Sequence, residues 1–498
     1  MIEGQTSIFE MLYPTYKITK PIRLIEFFAG YGSQALALKY LGVNFEHWKI
    51  CEWAIKSIQA YKDIHFPNDN EDYSEIWDKE DLIEYLYNKG ISSNWNEPMK
   101  ESAIRRKSEE ELRKIFNNCK ATNNMINIQQ VKGADLEIQD TDQYDYILTY
   151  SFPCQDLSLA GTRKLMSDTS TRSGMLWEVE RILTECKELG QLPQVLLMEN
   201  VPQVHGEGAI EDFNKWQFRL EELGYKNYWQ DLIATDYGIP QTRNRCFMIS
   251  ILGDYNYTFP KPIKLDKKLK DMLEADVDDK YYLSEKAKEY ICGNAVNKDL
   301  KDRIDRSKTY LSKEIAYTIS TKQDRRNGDS NFILDGYGET SIGDYLKIKN
   351  ANSKGYLEAT DGDGVDISGR MQYHRGTVQK GKTQTLSTMG GENNGVVVKS
   401  RVVGGIGEKK SNNNTQWYQH DRIYEGNVAI TITTECNPYY KNDLRIRKLT
   451  PRECFRLMGV KDEDFDKVVK NQSDSSLYHL AGDSIVVNVL MAIFKEMI

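Results

Sequence analysis

No Cys-x-x-Cys pair occurs anywhere in this 498-residue chain. Its 8 cysteines, at positions 51, 119, 154, 186, 246, 292, 436 and 454, are scattered. That spacing argues against zinc sites and a disulfide framework, and for a reducing cytoplasm. Residues 1–20 hold no apolar core behind a basic region, so no secretory signal is read. No apolar run looks long enough to cross a bilayer, and no membrane partner is expected. An excess of positive charge is also missing. The 66 Lys and Arg against 74 Asp and Glu leave −8, which does not by itself advertise a polyanion partner. What is present is an ordinary globular composition, 40% hydrophobic and 28% charged, on a chain long enough for about three domains.

The charge is unevenly spread. Between Met371 and Thr450 stand 12 Lys and Arg and 6 Asp and Glu. A local excess of this kind can form a phosphate-binding face on an acidic protein, or it can be solvated surface.

Strand and helix signals alternate over the first half: strands at 22–28, 48–51, 146–150, 194–198 and 246–252, helices near 33–41, 54–61, 176–189 and 210–223. The alternation predicts an α/β fold, a mostly parallel sheet with helices on both faces. Residues 68–125 interrupt it with charged amphipathic helices, read as a solvated cap. Beyond Pro260 the pattern becomes irregular and β-like. It contains three similar segments, Thr318-Ile319-Ser320-Thr321, Thr385-Leu386-Ser387-Thr388 and Thr431-Ile432-Thr433-Thr434. A helical tail closes the chain.

Polar residues recur where apolar strands end, and in open α/β sheets that edge binds ligands. Ser151-Phe152-Pro153-Cys154-Gln155 follows the strand at 146–150 and delivers a thiol into a proline-bounded turn. Leu196-Leu197-Met198-Glu199-Asn200-Val201-Pro202 presents Glu199 likewise, a carboxyl that could act as an acid. Gln241-Thr242-Arg243-Asn244-Arg245 leads into the strand at 246–252, and two arginines two residues apart share one face of an extended chain. Near the amino end, Ala29-Gly30-Tyr31-Gly32 turns between strand and helix, and Glu52 lies twenty residues past Gly32. A carboxylate at that spacing grips ribose hydroxyls in nucleotide-binding units. Ala35 stands where a dinucleotide fingerprint has its third glycine. That favours an adenosine ligand without a pyrophosphate, such as S-adenosylmethionine, whose sulfonium would also welcome a carboxylate such as Glu26.

In order, these motifs resemble the DNA (cytosine-5-)-methyltransferase family of bacterial or phage type across nearly the whole chain. Phe27-Phe28-Ala29-Gly30-Tyr31-Gly32 is similar to its cofactor loop, Pro153-Cys154-Gln155 to its nucleophile motif, Glu199-Asn200-Val201 to its acid motif and Gln241-x-Arg243-x-Arg245 to its arginine motif. Residues 447–459 resemble the motif after its target-recognition domain, and Ala481-Gly482-Asp483-Ser484-Ile485-Val486 its last motif, with Asp483 where Asn is usual.

The resemblance implies a catalytic S-adenosylmethionine-dependent methyltransferase (Rossmann-like) domain at 20–254, with the insertion at 68–125. It further implies an irregular or β-rich target-recognition domain at 255–445 and a returning segment at 446–498. The catalytic set would be Cys154, Glu199, Arg243 and Arg245. The cofactor set would be Phe28, Ala29, Gly30, Gly32, Glu52, Trp53, Asp135, Pro153, Asp483 and Ser484. Gln155, Ser158, Gly161, Arg163 and Gln241 would meet the substrate, those from 156 to 174 on a closing loop. S-adenosyl-L-methionine is the implied cofactor and double-stranded DNA the partner. A monomer in the cytoplasm of a bacterium or phage-infected host is expected, with no metal and any cognate restriction endonuclease encoded separately. Three other readings stay open: a transfer-RNA methyltransferase of the same fold, a catalytically silent DNA-binding regulator, and, more remotely, a nicotinamide-dependent oxidoreductase.

Overall fold

The computed structural model describes residues 13–152, 172–282 and 449–498, with separate strands and turns between 316 and 448. The chain divides into two compact units, Met1–Ile239 with Arg243–Leu265 and Phe455–Ile498, and Pro240–Thr242 with Asp266–Cys454.

The first unit is built on six strands: β1 (Ile22–Phe27), β2 (Phe45–Cys51), β3 (Asp145–Tyr150), β4 (Val195–Asn200), β5 (Tyr225–Ile233) and β6 (Asn244–Leu252). Their order is β2-β1-β3-β4-β6-β5. The pairs β1–β2, β1–β3 and β3–β4 are parallel. β6 runs antiparallel to both its neighbours. Every residue of β3 and β4 is buried, as expected for near-continuous apolar strands covered on both faces. The expected α/β architecture with a mostly parallel sheet is thus present, with β5 added. That strand, Tyr-Lys-Asn-Tyr-Trp-Gln-Asp-Leu-Ile, is half polar because it lies at the edge.

Helix α1 (Ser33–Leu41) follows β1 and ends on Gly42, whose φ of 70° takes the left-handed stop that glycine adopts freely. Helix α2 (Ile55–His65) follows β2. The inserted region contributes α3 (Lys79–Asn88), α4 (Glu101–Arg105) and α5 (Glu109–Ala121). Its charged residues face solvent, yet it is more than a solvated cap. Leu82, Ile83, Leu86, Ile104, Leu112, Ile115 and Phe116 form a second core that includes Ile58 of α2. Helices α6 (Leu176–Glu188) and α7 (Ile210–Leu223) join the main core around Trp216, Phe213 and Leu183.

The tail supplies α8 (Asp462–Val468), α9 (Asp474–Asp483) and α10 (Val487–Lys495), and α10 packs on α1 through its apolar face. The stretch Asp474–Lys495 is long and apolar enough to span a membrane, contrary to the expectation that none would be, and 72% of its apolar window is buried inside the protein. Its hydrophobicity is that of a core helix pair.

In the second unit Asn331–Asp335, Gly364–Asp366, Asn394–Val397 and Arg445–Lys448 close a small barrel. Ala316–Ser320 and Lys382–Ser387 pair in parallel, with Thr318 opposite Gln384 and Ser320 opposite Ser387. Two of the three similar Thr-rich segments are therefore sheet partners, while the third, 431–434, lies outside the described residues.

Candidate active site at the carboxyl edge of the sheet

The antiparallel course of β6 makes the site. It brings the amino end of β6 to the carboxyl end of β4, pairing Glu199 with Phe247 and Asn200 with Cys246. Arg245 consequently arrives beside Glu199, its Nε 3.0 Å from Oε1. The Glu199 side chain is buried and that of Arg245 largely so, 6% and 11% exposed, so the two charges need each other. The contact is one of charge without aligned hydrogen-bond geometry. Ser151, just past β3, donates from Oγ to the other oxygen of Glu199 at 2.5 Å. Asn200 donates from Nδ2 to the Phe152 carbonyl at 3.1 Å and accepts from the Val201 N–H at 2.8 Å. The ends of β3, β4 and β6 are thereby tied together around one carboxylate. Pro153, Cys154, Gln155, Ser158, Gly161 and Arg163 lie outside the described residues.

Arg243 does not join this group. It is 4% exposed, and its Nη2 donates to the carbonyls of Ser484 at 2.7 Å and Gly482 at 3.2 Å. It precedes β6, so strand alternation does not put it on the face of Arg245. Its observed work is to pin the end of α9 to the sheet. Gln241 is fully buried, within the short 240–242 segment of the second unit.

A second cluster lies past β1 and β2. Phe28, Gly30 and Gly32 all have positive φ, 56°, 55° and 81°. Glycine at 30 leaves open space, since an added Cβ would meet only Ser484 Oγ, at 3.9 Å. Glycine at 32 has another cause: a Cβ there would collide with His65 and Tyr61 of α2. Glu52 accepts the Gly30 N–H at 2.9 Å on one oxygen and the Ala54 N–H at 2.8 Å on the other. Burial pushes its carboxyl up to about 7, the two N–H bonds act against that, and the charge of Asp483 adds to it. Each oxygen keeps acceptor capacity for a ligand hydroxyl. Gly30, Glu52, Asp483 and Ser484 thus border one open cradle whose donors and acceptors fit an adenosyl group. Ala29 is buried there, and Phe28 packs against the main core. Trp53 packs against the inserted core and accepts the Ser92 N–H at 2.8 Å.

Two residues expected at the cofactor have protein partners of their own. Glu26 is fully buried, taking the Tyr61 hydroxyl at 2.5 Å and the Ala35 N–H at 3.3 Å, so it faces no sulfonium. Asp135 is exposed and caps its own turn through the Lys132 N–H at 2.8 Å. Its neighbours bind the middle of β2, Leu136 O taking Trp48 Nε1 and Glu137 pairing with Lys49. The carboxyl end of β2 is served by Asn124, which sequence reasoning missed. Its Oδ1 accepts the Glu52 N–H at 3.1 Å and its Nδ2 donates to the Glu52 carbonyl at 2.8 Å. Ser151 was in view in the sequence, but nothing there marked it as the partner of Glu199.

A family model described as C-5 cytosine-specific DNA methylase matches residues 86–498. The chain is 39% identical over 269 residues to the orphan methyltransferase M.SssI of Spiroplasma monobiae, covering 53% of this chain and 68% of that protein. It is 29% identical over 480 residues to the type II methyltransferase M2.ScrFI of Lactococcus lactis subsp. cremoris, covering 96% and 99%. The orphan methyltransferase M.SPRI of Bacillus phage SPR is 28% identical over 392 residues, covering 71% and 82%. The family match over most of the chain and these relatives agree: this chain belongs to the C-5 cytosine-specific DNA methylases and is a DNA cytosine-5 methyltransferase.

Proposed function

We propose that this enzyme methylates carbon 5 of a cytosine flipped out of double-stranded DNA, through a transient bond between Cys154 and carbon 6. The observation that carries the reading is the buried Glu199–Arg245 pair, with Ser151 on its other oxygen three residues before Cys154.

Cytosine carbon 5 is a poor nucleophile. Addition of the Cys154 thiolate to carbon 6 forms a C–S bond and shifts the ring electrons toward carbon 5. Glu199, held by Ser151 and Arg245, would first take up a proton and then pass it to ring nitrogen 3 as charge develops there. Arg245 would hold the 2-carbonyl. S-adenosylmethionine, when bound, supplies the electrophilic methyl group, and Gly30, Glu52, Asp483 and Ser484 would hold it. Loss of the carbon 5 proton then expels the sulfur and restores the ring. A base inside a duplex cannot reach this edge, so it must leave the stack at a cost of a few kcal/mol. Gln155, Ser158, Gly161 and Arg163 are assigned to the covering loop, Gln241 to the base, and the strands of the second unit to sequence recognition. Arg243 acts as a positioning residue for the segment carrying Asp483 and Ser484. The names of the relatives support a role in DNA modification, either solitary or beside a separately encoded restriction endonuclease.

Bisulfite sequencing of DNA from cells expressing the protein tests this reading. The wild type should protect cytosines in one short motif, and Cys154→Ser should protect none. Protection that survives the substitution defeats the assignment of Cys154.

A further inference from the structure

The insertion at 68–125 reaches the cofactor cradle. Directly after Glu52, the Ser92 N–H donates to Trp53 O at 2.8 Å and the Ile55 N–H to Ser92 O at 2.9 Å, so an inserted strand-like segment lines this corner. Trp95 follows with a φ of 60°, a conformation that a bulky side chain adopts only when its surroundings hold it there. Its Nε1 donates to Ser57 Oγ of α2 at 3.0 Å. Its ring lies 3.8 Å from that of His479, centroid to centroid, tilted by 37°. His479 in turn places Nε2 2.8 Å from Asp483 Oδ2, one turn along α9, a close contact without aligned hydrogen-bond geometry. Asp483 is close enough to Glu52 for its charge to be felt there, and the next residue, Ser484, faces the open side of Gly30.

We propose that Trp95 and His479 are positioning residues for cofactor binding: Trp95 fixes His479, His479 fixes Asp483, and the three form the outer wall of the cradle bordered by Gly30 and Glu52. The inserted region is then part of the cofactor site, and Asp483 is the residue whose position this packing sets. Asp483 is exposed, so the ring-packed His479 contributes a fixed place for its carboxyl beside the buried Glu52. The inference rests on the reading of this cradle as the S-adenosylmethionine site.

Titration of the full-length protein with S-adenosylhomocysteine and S-adenosylmethionine, by calorimetry and by tryptophan fluorescence, decides it. Trp95→Ala should weaken both ligands about tenfold, the equivalent of one good ring contact. Trp95→Phe should recover most of that loss. His479→Ala should match Trp95→Ala, and the double variant should lose no more than either, because the two residues act through one another. In steady-state assays the loss should fall on KM for the cofactor and not on kcat. A Trp95→Ala protein that melts cooperatively and binds both ligands like the wild type overturns the proposal. Should that variant not fold, wild-type affinity in His479→Ala overturns it equally. A wild-type protein that binds neither ligand defeats the cofactor reading itself, and with it this inference.

Discussion

Glu199 and Glu52 are both buried carboxylates at the same sheet edge, yet they are held in different ways. Glu52 takes its hydrogen bonds from backbone, the N–H groups of Gly30 and Ala54, and Asn124 locks its own peptide on both sides. Among the described residues Glu199 is held by side chains, Arg245 on one oxygen and Ser151 on the other. Backbone donors cannot turn away without moving the fold, whereas a guanidinium and a hydroxyl can exchange partners by rotating. The first arrangement suits a fixed acceptor for a ligand that is bound and released unchanged in shape. The second suits a group that must trade its partners for a base and pass a proton.

Substitution by glutamine separates the two most sharply. Glu199→Gln keeps the shape but not the acid, and kcat should fall about 10²–10⁴-fold while cofactor affinity is retained. Glu52→Gln should do the reverse, raising the cofactor Kd and leaving the rate at saturation largely intact. Single-turnover rates and calorimetric titrations read the two effects separately, and equal losses of kcat in both variants would erase the distinction.

A smaller effect is expected at Arg243, which serves neither carboxylate. Arg243→Met leaves the buried carbonyls of Gly482 and Ser484 without that donor and should cost about 1.5–3 kcal/mol of stability, measured by urea unfolding. A large loss of kcat with unchanged stability would instead return Arg243 to the catalytic group.

The smallest expected effect is a pH slope. The carboxyls of Glu52 and Glu26 are pushed up by burial from 4.5 to about 7. Between those values the folded chain keeps protons that the unfolded chain releases, so the stability of the ligand-free protein should fall as pH rises through this window. Cofactor affinity should move the other way, rising toward and through pH 7 as Glu52 becomes a full acceptor. Glu52→Gln should flatten the affinity profile and leave only the share of Glu26 in the stability profile. An unaltered affinity profile in that variant would remove Glu52 from the cradle.

Much of this site was legible because its residues end apolar strands. Glu199 and Glu52 were found from such runs, and the Gly30 turn from its place between strand and helix. Directions and partners were not legible. Periodicity reports which residues alternate, not which way a strand runs, so the reversal of β6 that brings Arg245 to Glu199 could not be read. The two-residue spacing of Arg243 and Arg245 predicted a shared face, but the strand begins at Asn244 and leaves Arg243 outside it. β5 escaped notice because Lys226, Asn227, Gln230 and Asp231 break its pattern, as an edge position permits. Asn124 acts on Glu52 across 72 positions, a distance over which local sequence carries no signal.

The central chemical claim is a sulfur–carbon bond to the target base, and DNA carrying 5-fluorocytosine in the recognised motif tests it most directly. Fluorine cannot leave as a cation, so the methylated adduct should persist. Incubation with the wild-type enzyme and S-adenosylmethionine should give a protein–DNA species stable to denaturing electrophoresis, absent with Cys154→Ser. A wild-type enzyme that methylates ordinary DNA but yields no such species, or a Cys154→Ser enzyme that still yields it, would contradict the account.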